Sequence, residues 1–168
     1  MTFERRVAGL FRLDDAAWER HANPLSGWSR LTTLPLLILS FWSRQWLGWW
    51  ALVPVAVALA WLWLNPHLFP PPRSTRNWMS QGVLGERVWL NRDKVPVPNH
   101  HRTVIYILNL VSGAGVILVI WGVAALVICP TLLGTVVVFM SKLWGLDRMV
   151  WLYREMEATT PEYARWLR

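Results

Sequence analysis

Gly82-Val83-Leu84-Gly85-Glu86-Arg87-Val88-Trp89-Leu90-Asn91-Arg92 stands inside a polar segment, residues 65–102, that separates two long apolar blocks. Wrapped at about 100° per residue, residues 77–92 place Trp78, Met79, Gly82, Val83, Trp89 and Leu90 on one arc with Glu86 near its centre. A carboxylate in the middle of an apolar face is unexpected on a surface helix. It makes this stretch a helix that docks on something rather than a solvated linker.

The blocks on either side supply what it docks on. Their composition, 54% hydrophobic with 14 tryptophans in 168 residues, belongs to the membrane class. Asn23-Pro24 is a helix start, and residues 24–43 and 49–65 read as the first membrane hairpin. At about 1.5 Å per residue, twenty residues reach about 30 Å, enough for a bilayer core. Pro35 predicts a kink, and Arg30, about two turns in, can snorkel to the headgroups. Trp42, Trp46, Trp49 and Trp50 mark the outer turn, and Trp61 and Trp63 the inner end.

Phe69-Pro70-Pro71-Pro72 leaves the membrane as an extended path and opens a connector over residues 66–99 that contains the helix of residues 77–92. Residues 100–128 and 131–157 read as the second hairpin, with Asn99 as its cap and Cys129-Pro130 at its outer turn. Ser112, Gly113 and Gly115 permit close helix contact there. Residues 2–20 have amphipathic helical spacing and predict an interfacial helix; residues 158–168 are a polar tail. The expected fold is therefore an all-α integral membrane four-helix bundle of two transmembrane hairpins, with interfacial amphipathic helices on the cytosolic side.

The formal charge of +7 points to nucleic acid, an anionic membrane surface or an acidic substrate. Distribution separates these. Five of the 17 basic residues lie at or before Arg30, six between Arg73 and Arg102, and four after Gly145. Clusters on alternate sides of apolar spans follow the positive-inside rule and place both termini and the connector in the cytosol, with no need of nucleic acid. The expected partners are membrane lipids with anionic headgroups, and a membrane protein or a second copy of the chain. Cys129 is the only cysteine, which excludes an intrachain disulfide and a Cys-based zinc site.

The inner face gathers the chemistry. His21, His100 and His101 are candidate ligands for one divalent transition metal ion, although no His-Glu-x-x-His spacing accompanies them. Glu86 and Asp147 are candidate catalytic carboxylates, and Arg92, Lys94 and Arg102 candidate headgroup or anion contacts. Each has a bland counterpart: capping for the histidines, an ion pair for Glu86, simple solvation for Asp147. Lys142 lies deep in the fourth span, where a lysine costs about 2.5–3.5 kcal/mol, so it calls for an acid partner, Glu86 or Asp147. His21, Glu86, His100 and His101 are expected to converge on one site.

His21-Ala22-Asn23-Pro24, Trp63-Leu64-Asn65-Pro66, Gly85 to Arg92, Val97-Pro98-Asn99-His100-His101 and Asp147-Arg148-Met149-Val150-Trp151-Leu152-Tyr153 together resemble a family of small Trp-rich prokaryotic membrane proteins known only as a domain of unknown function. The likeness covers about residues 20–155. It implies a prokaryotic inner membrane location and supplies no activity. From the residues themselves, the leading expectation is a metal-assisted membrane enzyme acting on a lipid or isoprenoid-like substrate. Its rival is a non-catalytic accessory or scaffold subunit of a larger membrane complex.

Overall fold

The computed structural model describes residues 14–168, and among these the chain is helical with no strand. Helix α1 is Asp15–His21, α2 Pro24–Leu31, α3 Thr33–Trp42 and α4 Arg44–Leu47, followed by a 3-10 turn, Gly48–Ala51, and α5, Leu52–Leu68. After the connector's extended start come α6, Trp78–Leu90, α7, Asn99–Ala125, α8, Ile128–Thr159, and α9, Pro161–Ala164. Most of the interfacial helix expected over residues 2–20 falls outside the described residues.

Local chemistry sets the breaks. Asn23 accepts from the Leu25 amide at 2.9 Å and Pro24 takes the first helical position, so α2 starts there. Pro35 has no N–H for the carbonyl of Leu31, and the helix is interrupted at Thr32 between α2 and α3. Gly48, at φ 55°, reverses the chain before α5. Asn77 accepts from the Ser80 amide at 2.9 Å and opens α6. Asn99, expected as a cap, is instead the first residue of α7, and no side chain caps that helix.

Among the described residues, three stretches are long and apolar enough to cross a membrane: Pro24–Leu68, Asn99–Ala125 and Ile128–Thr159. Their outward residues suit lipid and not water; Leu110 is 77% exposed and Trp49 is 87% exposed. These features mark an integral membrane protein. Within the first stretch α3 packs against α5, and Asn65 ties the two ends: it accepts from Ser26 Oγ at 2.7 Å and donates to Ser29 Oγ at 2.8 Å. Such side-chain bonds hold helices together where apolar burial cannot, because lipid is as apolar as the core.

Small residues set the other contacts. A Cβ on Gly134 would lie 2.6 Å from the Gly115 carbonyl oxygen, so α7 and α8 meet almost backbone to backbone. A Cβ on Gly85 would collide with the Met149 carbonyl, and one on Gly82 would lie 3.3 Å from Leu146. These two glycines let α6 lie flush against α8. The buried core gathers there, on Val83, Val88, Trp89, Leu152 and Tyr153. The C-terminal tail joins it: Tyr163 is 1% exposed, Tyr153 Oη donates to its carbonyl at 3.1 Å, and Arg168 N donates to Thr75 Oγ1 at 2.8 Å.

Candidate functional site

The close seating of α6 on α8 carries Glu86 to Lys142, Oε1 to Nζ at 2.6 Å. Of the two acids available to that lysine, the chain uses Glu86. Asp147 sits one turn further along α8 and accepts from Trp78 Nε1 at 3.2 Å, with Arg148 at 3.6 Å. It is a fastening for the start of α6.

Beside the Glu86–Lys142 pair lies a cavity of about 570 Å³, a size that suits an organic ligand. Leu31, Leu62, Met79, Leu90, Ile105, Leu108, Leu146 and Met149 form its apolar wall. Its polar groups are His21, Arg30, Glu86, Asn109, Ser112, Ser141 and Lys142. Pro66, also in the wall, leaves the Leu62 carbonyl without its helical donor.

His21 is buried at the end of α1, edge-on to Trp18 with ring centroids 5.4 Å apart. The Arg30 guanidinium lies against its ring, with Nη1 3.0 Å from Nδ1 and also in contact with Nε2. A guanidinium only donates, so the imidazole accepts and is neutral. Burial, and then the charge on Arg30, hold the His21 pKa down to about 3. Burial alone would raise Glu86, but Lys142 and then Arg30 outweigh it and hold its carboxyl at about 2. The cluster therefore carries two cations, one anion and one neutral imidazole at neutral pH.

The three histidines do not form one group. His21 and Glu86 share the cavity, whereas His100 and His101 are outside its lining and reach Glu155 on α8 at 3.2 Å and 2.9 Å. Arg92 lies over the Trp89 ring at 4.3 Å and donates to the Trp89 carbonyl at 2.8 Å, so it braces the C-terminal end of α6. Lys94 and Arg102 are exposed.

Arg30 and Glu155 lie outside the candidate site residues that the sequence points to. Arg30 looked like a snorkelling side chain, yet it folds inward on His21, nine residues away. Glu155 carried no sequence signal, because only the crossing of α7 and α8 brings it to the histidines. No curated protein and no solved structure matches the chain. The sequence pattern of DUF6653, a family of unknown function, matches residues 2–166, and the chain belongs to that family.

Proposed function

We propose that this membrane protein holds an amphipathic, phosphate-bearing lipid or isoprenoid-like molecule in the cavity, with the acidic headgroup on Arg30 and Lys142 and the chain along Leu62, Leu108 and Leu146. The observation that carries this reading is the pairing of a long apolar wall with a polar cluster that has one more positive than negative charge. Two hydrogen-bonding cations beside a low-dielectric wall are what a phosphate on a greasy chain requires. Asn109, Ser112 and Ser141 add neutral hydrogen-bonding groups to the same wall.

Retention is favoured over acid–base turnover in the resting state. A proton-transfer catalyst works best with a pKa near the operating pH, and Glu86 at about 2 and His21 at about 3 are both far below it. Turnover is the second reading, supported by the presence of His21 and Glu86 in one cavity; a bound headgroup that displaces Lys142 or Arg30 would release them for it.

The placement in the membrane belongs to the same proposal. Four passes, made by α2–α3, α5, α7 and α8, put both termini, α6 and the headgroup end of the cavity at the cytosolic surface of a prokaryotic inner membrane. The basic residues before Arg30, between Arg73 and Arg102 and after Gly145 support that orientation.

Native mass spectrometry of the detergent-purified protein tests the proposal. The expected result is a co-purifying phosphate-bearing amphiphile at one per chain, depleted in Arg30→Gln. Only neutral lipid, or the same retention in Arg30→Gln, would remove the proposal and leave the accessory-subunit reading in its place.

A further inference from the structure

His100 and His101 occupy the first turn of α7, and the Nε2 atoms of both reach one oxygen of Glu155, at 3.2 Å and 2.9 Å. Consecutive side chains on a helix diverge by about 100°. Here no preceding turn restricts χ1, and the two imidazoles lean together with centroids 4.3 Å apart. The ligand atoms of all three residues lie within 4.8 Å of one another. Ligands about 2.0–2.1 Å from a tetrahedral zinc ion stand about 3.3 Å apart. The two histidine–glutamate separations, 3.2 Å and 2.9 Å, are within about 0.4 Å of that spacing.

We propose that His100, His101 and Glu155 bind one divalent transition metal ion of the zinc type. Two imidazole nitrogens and a carboxylate oxygen are the donor set of a three-ligand zinc site, and they disfavour magnesium and calcium, which take oxygen ligands. His101 is the anchor, 5% exposed against α8. His100 and Glu155 have side chains 66% and 45% exposed, so the fourth position opens to solvent and takes water. Arg154, the neighbour of Glu155 in the chain, is engaged elsewhere: its Nε donates to Gln81 Oε1 at 2.9 Å. The ion would clamp the start of α7 to α8, across 54 residues of chain. This site is separate from the cavity and stands or falls independently of the retention proposal.

The competing arrangement is an ion-free cluster in which each imidazole donates Nε2–H to the same carboxylate oxygen, and metal titration separates the two. Tag-free protein, stripped with a chelator, is titrated with Zn2+ by calorimetry and with Co2+ by visible absorption. The expected result is saturation at one ion per chain with the intense absorption of tetrahedral Co2+. Affinity should fall at least about tenfold in His101→Ala, His100→Ala and Glu155→Gln and stay unchanged in His67→Ala. His100 is exposed, so its variant reports on binding even if His101→Ala disturbs the fold. Absence of saturable binding, or binding unaltered in both His100→Ala and Glu155→Gln, overturns the proposal. Amphiphile retention in His100→Ala should match that of the unaltered protein, which keeps the two tests apart.

Discussion

Lys142 on α8 and Glu86 on α6 meet at 2.6 Å across 56 residues of chain, and the contact exists because Gly82 and Gly85 let the two helices touch. An apolar helix face with a carboxylate at its centre and an apolar span with a lysine in it are each costly alone. Together they cancel most of that cost and fix how α6 sits.

Removing one partner should therefore hurt more than removing both. Glu86→Leu and Lys142→Met, each made singly, are expected to lower stability by roughly 1–3 kcal/mol, since each leaves its partner's charge in an apolar setting with no counter-charge. The double variant Glu86→Leu with Lys142→Met should recover most of the loss. Thermal unfolding in detergent of the two single variants and the double closes the cycle; additive losses would contradict the coupling.

Gly85 is the tighter of the two contacts in α6, because its neighbour is the backbone of Met149 and cannot rotate away. Gly85→Ala should cost about 3 kcal/mol or more, as overpacking does when nothing can yield. Gly113 has open space where a Cβ would go, so Gly113→Ala should be neutral or stabilise by up to about 1 kcal/mol. Equal melting temperatures for the two variants would show that α6 does not lie flush on α8.

Acid should loosen the protein in two stages. The His21 pKa is depressed from 6.5 to about 3, so its contribution is complete above pH 6.5 and is lost as the pH falls towards 3. The Glu86 value is depressed from 4.5 to about 2 and adds its own loss only below pH 4.5. Between about pH 6.5 and 5 the slope belongs to His21, at about 1.4 kcal/mol per pH unit and roughly 2 kcal/mol in all. Melting curves across that interval should flatten in His21→Gln, and an unchanged slope would place the titrating group elsewhere.

Cys129, the only cysteine, is exposed at the start of α8 and reports on topology without engineering. A membrane-impermeant maleimide should label it from outside intact cells. Ser74→Cys, made in a Cys129→Ala background, should stay unlabelled until the membrane is opened. Labelling in the reverse order would invert the orientation proposed above.

Much of this was legible because it is local. Asn23-Pro24 and Asn77 announce helix starts through the chemistry of free amides, and Pro35 announces a break, which falls three residues before it at Thr32. The need of Lys142 for an acid was also legible, because a lone cation in an apolar span has no other inexpensive solution. Partner choice was not. Which side chain meets His21 depends on how α1 folds back on α2, and Arg30 rather than His100 occupies that place. Glu155 reaches His100 and His101 only because Gly115 and Gly134 set the separation of α7 and α8. Helix crossings of this kind leave a trace in the glycines but not in the residues they bring together.

The central claim, an anionic amphiphile in the cavity, is tested most directly by the melting temperature of the protein in a neutral maltoside detergent as dodecyl phosphate is added. Ligand at about 100 times its Kd stabilises by about 2.7 kcal/mol, so the account predicts a saturable rise of several degrees that is lost in Arg30→Gln. No rise, or an equal rise with dodecyltrimethylammonium, would contradict it.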